Sequence, residues 1–295
     1  MKLRFSAGRA GASVCPGFPE TFNRQTIMRR VVTIGQTTAG GPAFLVIAGP
    51  CSVESREQLL RIARRVRDAG ATALRGGVFK MRSDPRSFQG LGAGAFPIVD
   101  EARRETGLPF VAEVTSPEQI EALAAHVDML QVGSRNMHNT ALLKELGLQR
   151  TPVLLKRGFA ALLKEWLFAA EYIMQGGNQD VVLCERGIRT FGDDTRNTID
   201  LAGAVLARQR SGLPVLLDPS HGTGRRELVG PMCAAAAAAG LDGLLIEVHD
   251  DPDAALSDGF QSLTPEQFAG LLAGLHPILR ATGRDLARGA IAGPR

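Results

Sequence analysis

The sequence predicts an α/β fold of the (β/α)8 TIM-barrel type, preceded by a short N-terminal hairpin and an irregular N-terminal extension. Eight short apolar runs alternate with amphipathic helical stretches between residues 44 and 280. The apolar runs are continuous, which is typical of parallel strands that are buried on both faces. A doubly wound open sheet shows the same alternation, but eight units in about 250 residues favour closure into a barrel.

The strand and helix units follow one another in a regular order. The apolar runs, in chain order, are FLVIAG, ATALRGG, PFVAEV, DMLQVGS, PVLLKRG, VVLCERG, LPVLLDPS and GLLIEVH. Helical stretches follow them, and two of these stretches open with Ser116 or Thr264 followed by Pro and Glu. A hydroxyl residue before Pro and Glu is typical of a helix N-cap, so helices are predicted to begin at both positions.

The boundaries of the barrel follow from the composition on either side of it. Residues 1–28 are irregular and are expected to be a disordered extension or to precede the true start at Met28. They lack the apolar core of about 7–15 residues that a signal peptide needs. Residues 29–43 are expected to form a hairpin that closes the bottom of the barrel. The barrel is assigned to residues 44–280 and a C-terminal tail to residues 281–295.

The composition and charge exclude several classes of protein. The net charge of +4 is spread along the chain, and one Trp and one Tyr offer no base-stacking platform, so no nucleic-acid partner is expected. No apolar run approaches the roughly 20 residues of a membrane-spanning helix, so no membrane partner is expected either. The four cysteines are far apart and form no CxxC pair, which favours a reducing, cytoplasmic location.

A set of cations lies where the predicted strands end, which is where barrels of this type carry their chemistry. The set comprises Arg75, Lys80, Arg82, Arg135, Lys156 and Arg186. Any one of them is better explained as a surface cation paired with an acidic residue. Six at one barrel mouth would need anions to neutralise them, and Arg and Lys are the side chains that bind phosphate and carboxylate. The set therefore indicates two phosphorylated substrates or one heavily charged one.

A second set of strand-end residues has the chemistry of metal ligands. It combines a thiol, an imidazole and two carboxylates in Cys51, His221, Glu247 and Asp258. Such a mixture suits a divalent Mn, Fe, Co or Zn ion better than the all-oxygen sites of Mg or Ca. Taken singly, Cys51 is more simply a buried small apolar residue and His221 a core histidine. The spacing of the four residues along the chain matches no metal-binding motif. The prediction of a metal site therefore depends on the barrel fold, which would bring them together.

Seven segments of the chain together carry a resemblance to a known family. They are AGPCSVES, RGGVFKMRSDPRSFQGLG, LQVGSRNMHN, PVLLKRG, LCERGIRTF, DPSHGTGRRELV and IEVHDDPDAALSDGFQSL. In this order they resemble the type I-beta 3-deoxy-D-arabino-heptulosonate 7-phosphate (DAHP) synthases, over roughly residues 30–277. The resemblance implies a metal-dependent barrel that condenses phosphoenolpyruvate with erythrose 4-phosphate, the first step of the shikimate pathway and of aromatic amino-acid biosynthesis.

The resemblance also implies roles for particular residues. The metal ligands it implies are Cys51, His221, Glu247 and Asp258. The phosphoenolpyruvate-binding residues it implies are Arg75, Lys80, Ser134, Arg135, Lys156 and Arg186. Arg82 and Ser83 match the pair that holds the aldose phosphate. Catalysis would rest on Lys80, Cys51 and His221, with Lys80 hypothesised to give a proton to the nascent alkoxide. Family members are usually oligomers, so a homo-oligomer, dimer or tetramer, is expected.

The chain departs from the family in the loop that would hold the aldose phosphate. The usual Lys-Pro-Arg-Thr-Ser-Pro-Tyr reads here Lys-Met-Arg-Ser-Asp-Pro-Arg over residues 80–86. Met81 loses the fixed φ of proline and adds a flexible side chain, Arg86 replaces a tyrosine, and Asp84 adds a charge. Either these are neutral changes in a DAHP synthase, or the chain is a paralogue of secondary metabolism that uses another aldehyde. The single residue between Lys80 and Arg82 argues against the related 3-deoxy-octulosonate 8-phosphate synthases, whose segment is longer.

Two further expectations concern regulation and activity. The first 43 residues are too short and irregular for the ferredoxin-like or chorismate mutase domain that many family members carry, so no feedback control through a separate domain is expected. A barrel that only binds a phosphorylated ligand is the non-enzyme alternative. The presence of metal-type ligands beside the cation set speaks against it.

Overall fold

The computed structural model describes residues 28–82 and 84–287. The strands are β1 (Val32–Ile34), β2 (Thr37–Ala39), β3 (Ala43–Gly49), β4 (Ala73–Arg75), β5 (Phe110–Val114), β6 (Met129–Val132), β7 (Val153–Lys156), β8 (Val181–Glu185), β9 (Val215–Leu217), β10 (Gly243–Glu247) and β11 (Asp285–Leu286). The α-helices are α1 (Arg56–Ala69), α2 (Phe96–Thr106), α3 (Ile120–Ala124), α4 (Thr140–Gly147), α5 (Leu163–Gln175), α6 (Leu201–Ser211), α7 (Pro219–Thr223), α8 (Arg226–Ala238) and α9 (Pro265–Ala281). Short 3-10 turns connect several of them.

Strands β3 to β10 form a closed parallel barrel. Each strand pairs with the next along the chain, and β10 returns to pair with β3 in the register Leu244 opposite Val46. Helices lie between successive strands, so the predicted (β/α)8 fold is confirmed and the open sheet is excluded. None of the described helices combines the length and apolar character that crossing a membrane would require.

The inside of the barrel changes from apolar to polar along the strands. Buried apolar side chains such as Ile47, Val111 and Met129 fill its lower part as one cluster. Because side chains alternate between the two faces of a strand, the next inward positions are two residues further on. On β5 and β6 these are Glu113 and Gln131. A layer of polar side chains therefore lies above the apolar cluster, at the carboxyl ends of the strands.

The predicted N-terminal hairpin is confirmed and covers the amino-terminal end of the barrel. β1 and β2 pair antiparallel, and Val32, Ile34 and Ala39 belong to the same buried cluster as the barrel interior. Within the predicted C-terminal tail, β11 adds beside the start of β3. The predicted extension of residues 1–28 falls almost wholly outside the described residues. Closure at the bottom leaves the carboxyl ends of the strands as the open mouth of the barrel.

Candidate active site

A cavity of about 280 Å³ opens at the carboxyl ends of the barrel strands. The cations that line it are Arg75, Lys80, Arg82, Arg135, Lys156, Arg186 and Arg196. The first six are the cations that the sequence placed at strand ends, and Arg196 was not among them. Glu113, His221 and Asp258 also line the wall. The structure therefore brings the cation set and part of the metal-type set to a single cavity.

The four metal-type residues form one cluster beside this cavity. Their ligand atoms all lie within 4.8 Å of one another. Cys51 follows β3, His221 lies in α7, Glu247 ends β10 and Asp258 belongs to the loop after β10. His221 Nε2 lies 3.2 Å from Glu247 Oε1, and the Cys51 thiol donates to Asp258 Oδ2 at 3.1 Å. One thiol, one imidazole and two carboxylates at this spacing fit a single divalent transition-metal ion.

The loop that carries Asp258 has an unusual backbone. Asp258 has a φ of +53°, the one positive φ at a non-glycine residue among the described ranges. Its neighbour Gly259 must be glycine, since a Cβ there would lie 1.9 Å from the carbonyl oxygen of Pro252. Asp is one of the few residues besides Gly that adopt the left-handed conformation readily, so this turn orients a candidate ligand without a large cost in strain.

The protonation of the cluster depends on its burial and charges. Burial, with the neighbouring Glu247 carboxylate, raises the pKa of Cys51 to about 12. Burial also opposes the charge of Asp258, but the neighbouring His221 and Arg196 outweigh it and hold the pKa of this carboxyl below its usual value. The thiol must therefore lose a proton to act as a ligand, as in other thiolate sites.

Three cations of the cavity also contact the cluster, and two of them, Lys80 and Arg75, belong to the predicted cation set. Lys80 Nζ donates to Cys51 Sγ at 2.8 Å, and Arg75 Nη1 donates to Glu247 Oε1 at 3.1 Å. Burial disfavours the charged form of Lys80, but Cys51 and two nearby carboxylates, Glu113 first, raise its pKa overall. Lys80 is therefore a protonated amine that bridges the cation-lined cavity and the ligand cluster.

Asp218 lies in the LPVLLDPS run and belongs to neither predicted set of site residues. It is fully buried at the start of α7, where it accepts from Lys156 Nζ at 2.6 Å and contacts His221 Nδ1 at 2.8 Å. Burial opposes its charge, but His221 and Lys156 hold its pKa well below the usual value. Asp218 orients the imidazole so that Nε2 faces the cluster. The sequence signal was its position three residues before His221.

An aromatic ring that sequence reasoning missed organises the arginines. Arg186 lies 4.7 Å from the centroid of the Phe159 ring, Arg189 lies 5.1 Å and Arg135 lies 5.7 Å from it. Cation–π contacts of this kind hold several guanidinium groups together without neutralising them. Phe159 follows the Lys-Arg-Gly segment after β7, and a lone Phe in a loop gives no pattern that would have marked it.

Three buried polar atoms around the cavity lack a protein partner. Arg75 Nε, Ser134 Oγ and Arg186 Nη1 make no hydrogen bond within the described part of the chain. Burial lowers the pKa of Arg186, which shows how costly its charge is in this environment. Buried donors are nearly always satisfied in folded proteins. Buried donors without a protein partner beside a cavity are typical of a site for a ligand with acceptor oxygens.

The loop after β4 forms the outer edge of the cavity. Met81 and Asp84 line it, whereas the side chain of Arg86 is 88% exposed and pairs with Asp84. Arg82 Nη1 donates to Ser257 Oγ at 2.7 Å. Ser83, expected to bind the aldose phosphate with Arg82, lies outside the described residues. Of the departures from the family pattern in this loop, Met81 and Asp84 reach the cavity and Arg86 does not.

The chain is similar to a known family over most of its length. Residues 24–280 match the model of the DAHP synthetase I family. A phospho-2-dehydro-3-deoxyheptonate aldolase from Thermotoga maritima is 44% identical over 253 residues, which cover 86% of this chain and 75% of the relative. A 2-dehydro-3-deoxyphosphooctonate aldolase from Syntrophobacter fumaroxidans is 34% identical over 270 residues, which cover 84% of this chain and 92% of the relative.

Solved structures support the same relationship. The crystal structure of the DAHP synthase from Thermotoga maritima superposes with a TM-score of 0.85 at 43% identity, covering 88% of this chain and 76% of that one. A truncated form of the Thermotoga maritima enzyme gives a TM-score of 0.82 at 40% identity, covering 88% of this chain and 95% of that one. The matched residues include both the cation-lined cavity and the ligand cluster. The chain therefore belongs to the DAHP synthetase I family of enzymes.

Proposed function

We propose that this enzyme condenses phosphoenolpyruvate with erythrose 4-phosphate to give DAHP and inorganic phosphate, as the entry step of the shikimate pathway. One observation carries the proposal: three buried donors without a protein partner face a cation-lined cavity beside the ligand cluster. A small molecule with both a phosphate and a carboxylate satisfies such donors. The Thermotoga maritima relative is named for the aldolase that corresponds to this product.

Phosphoenolpyruvate would occupy the inner part of the cavity. Arg75 and Lys156 are buried at the ends of β4 and β7, and Arg186 follows β8. Each already has a buried or aromatic neighbour that holds its orientation, so the binding cations are preorganised. Ser134 and Arg135 begin the 3-10 turn after β6 and would add a hydroxyl and a second guanidinium. The phosphate and the carboxylate of the proposed substrate would be held by these guanidinium and ammonium groups.

The ligand cluster would hold a divalent ion, Mn, Fe, Co or Zn, through Cys51, His221, Glu247 and Asp258. When bound, such an ion supplies a Lewis acid for an aldehyde oxygen. The protein residues around it do the rest. Asp218 holds the tautomer of His221, and Arg75 neutralises Glu247.

The reaction then needs only positioning and one proton. The cation-lined cavity holds phosphoenolpyruvate so that its C3 bonds to the aldehyde carbon, which converts an encounter of two molecules into a local step. The aldehyde oxygen becomes an alkoxide and takes a proton from Lys80 Nζ, a protonated amine at the border of cavity and cluster. Attack by C3 leaves C2 electron-poor, so water adds there and its released proton restores the Lys80 ammonium. Phosphate then leaves with the electrons of the C2–O bond and takes the proton of the C2 hydroxyl, which becomes the ketone.

A second candidate is the same phosphoenolpyruvate chemistry with a different aldehyde. The observation that favours it is the presence of Met81 and Asp84 in the wall of the cavity at its outer edge. A flexible apolar side chain and a carboxylate are poor partners for an incoming phosphate. Such an enzyme would belong to secondary metabolism. The active form in either case is expected to be a homo-oligomer, dimer or tetramer, which sedimentation would measure.

Phosphoenolpyruvate consumption by enzyme stripped of metal and reloaded with Mn²⁺ tests the proposal. Erythrose 4-phosphate is compared with arabinose 5-phosphate and with unphosphorylated aldehydes, on the wild type and on Met81→Pro. We expect the highest kcat/KM with erythrose 4-phosphate in both proteins. A preference of the wild type for another aldehyde, shifted toward erythrose 4-phosphate by Met81→Pro, would favour the second candidate. If the protein binds phosphoenolpyruvate but consumes it with none of the aldehydes, both candidate reactions are refuted. The chain would then be a barrel that only binds a phosphorylated ligand.

A further inference from the structure

The two carboxylates of the ligand cluster each use one oxygen toward the cluster and one away from it. Asp258 Oδ2 faces Cys51, and Asp258 Oδ1 accepts from Arg196 Nη1 at 3.2 Å. Glu247 Oε1 faces His221, and Glu247 Oε2 accepts from Gln261 Nε2 at 2.6 Å. The outward oxygens therefore have their own dedicated donors.

These two donors are joined to each other. Arg196 Nη1 also donates to Gln261 Oε1 at 2.8 Å, so a guanidinium and an amide link Asp258 to Glu247. Gln261 has no exposed surface, and its amide could otherwise turn over. The opposite orientation would place an amide NH2 against the guanidinium and a carbonyl oxygen against Glu247. Arg196 therefore selects the orientation of Gln261 that can hold Glu247.

The charges of the cluster support the same pairing. Each acidic ligand has one cation of its own: Lys80 contacts Cys51, Arg75 contacts Glu247 and Arg196 contacts Asp258. Arg75 is buried and Lys80 is partly buried, and both belong to the proposed phosphoenolpyruvate site. The Arg196 side chain is 34% exposed, and both of its hydrogen bonds go to the ligand cluster or its support. The hydrogen bonds of the Arg196 guanidinium thus go to a ligand of the cluster and to the residue that supports a second ligand.

The backbone around Arg196 is tied to the helix that carries His221. The Arg196 N–H donates to the carbonyl of Thr223 at 2.8 Å, and the Asn197 side chain donates to the carbonyl of His221 at 3.0 Å. Gly224 leaves the room for this approach, because a Cβ there would lie 2.5 Å from Arg196 Cβ. The segment that contacts α7 through its backbone thus also contacts Asp258 through the Arg196 side chain, and reaches Glu247 through Gln261.

We propose that Arg196 and Gln261 are positioning residues that fix Asp258 and Glu247 as a pair of metal ligands, and that together they set the affinity of the cluster for a divalent ion. The inference rests on the proposed metal-dependent function but adds residues outside the ligand set. Partners of this kind orient the lone pairs that face the ion and keep the ligands from turning away when it is absent.

Metal affinity of Arg196→Met and Gln261→Leu tests this proposal directly. The proteins are freed of metal and titrated with Mn²⁺ and Co²⁺ against a chromophoric chelator, which needs no turnover. We expect each variant to bind about 10–100-fold more weakly than the wild type. The double variant should lose little more than the worse single one, because both side chains act in a single chain of hydrogen bonds. Arg196→Lys should recover part of the lost metal affinity, since lysine restores the positive charge but not the planar guanidinium with its several N–H donors.

Arg64→Met is the matched control, because it removes an exposed arginine of α1 that pairs with Glu105 of α2, outside the ligand cluster. It should bind both ions like the wild type. If the variants bind metal like the wild type, or only have a higher KM for the aldose phosphate, Arg196 and Gln261 do not position the metal ligands. If Arg196→Met does not fold, Gln261→Leu and Arg196→Lys decide in its place. A folded wild type that binds neither ion would instead refute the metal-dependent function beneath the proposal.

Discussion

At the scale of single residues, Lys80 is the side chain on which the two halves of the site converge. Its ammonium lies 2.8 Å from Cys51 Sγ and lines the same cavity as Arg75 and Arg186. The raised pKa keeps it protonated at neutral pH, which suits a proton donor but not a general base. A charge in this position also helps the Cys51 thiol lose its proton.

Lys80→Met should lower kcat at saturating phosphoenolpyruvate and saturating Mn²⁺ by about 10²–10⁴-fold, because the alkoxide loses its proton source. The KM for phosphoenolpyruvate should rise as well, since one cation leaves the cavity. Steady-state phosphoenolpyruvate consumption measures both constants. The control is Lys144→Met, which alters an exposed lysine of α4. A kcat within a few fold of the wild type would exclude Lys80 as the proton donor.

At the scale of secondary structure, the end of β3 sets the geometry of the mouth. Gly49, the last residue of β3, has a φ of +152°, and a Cβ there would lie 2.2 Å from the carbonyl oxygen of Arg75. Strands β3 and β4 thus approach so closely that only glycine fits. The approach places Cys51 and Arg75 side by side, with Arg75 donating to the Cys51 carbonyl at 3.3 Å.

Gly49→Ala should destabilise the protein by about 3 kcal/mol, since the clash is with backbone that cannot rotate away. Gly270→Ala and Gly274→Ala, in the exposed part of α9 with no atom near the added methyl, should stabilise it by about 0.5–1 kcal/mol each. Urea unfolding measures all three. A Gly49→Ala protein as stable as the wild type would show that β3 and β4 can separate without cost.

The N-terminus of α6 offers a test of pH dependence. Asp200 accepts from the Gly203 N–H and from Arg157 at 2.8 Å each. Burial opposes its charge, but these two hydrogen bonds outweigh it and lower its pKa below the usual 3.8. Because the folded pKa is lower than the unfolded one, its contribution is complete above about pH 5 and fades as the pH falls through 3.8.

Asp200→Asn should therefore cost about 1 kcal/mol at pH 7, since the amide keeps the cap but loses the charge beside Arg157. The difference from the wild type should stay constant between pH 7 and pH 5 and narrow below pH 4. Urea unfolding of both proteins at pH 7, 5 and 3.5 gives the values. A difference that widened toward acid would reverse the assigned direction of the pKa shift.

At the scale of the whole molecule, Asp242 connects distant parts of the chain at the bottom of the barrel. It has no exposed surface and accepts from Arg29, Arg208 and Arg284, at 2.6, 2.9 and 2.9 Å. It also accepts from the Val215 N–H at 3.0 Å. The segment before the hairpin, α6 and the segment before β11 thus meet at one carboxylate.

Asp242→Asn should lower the free energy of unfolding by about 3–5 kcal/mol, because an amide nitrogen would face arginines that keep their charge. Hydrogen exchange should also speed up in the hairpin of residues 32–39. Asp68→Asn, which removes a carboxylate that is 65% exposed and paired with Arg67, is the control and should change stability by less than about 0.5 kcal/mol. A loss below 1 kcal/mol for Asp242→Asn would show that the arginines find other partners.

Two predicted helix N-termini show how much of a helix start the local sequence determines. The N-cap predicted at Thr264 is confirmed, with a capping box to Gln267 at the start of α9. The helix predicted from Ser116 is wrong in detail, because a 3-10 turn follows Ser116 without a side-chain cap and α3 begins only at Ile120. Both sites share the same Ser or Thr, Pro and Glu pattern, so this local pattern alone does not decide whether the cap forms and an α-helix follows directly.

The sequence by itself determined the order of strands and helices, the strand ends that carry cations and the chemical character of the four ligands. These are local properties, since runs of apolar residues and helical periodicity are set by near neighbours along the chain. The tertiary structure decided which of these residues meet. The pairing of β10 with β3 brings Glu247 next to Cys51, and the loop after β10 turns Asp258 and Gln261 toward them. Such contacts join residues about 200 positions apart and depend on barrel closure, so no pattern along the chain encodes them.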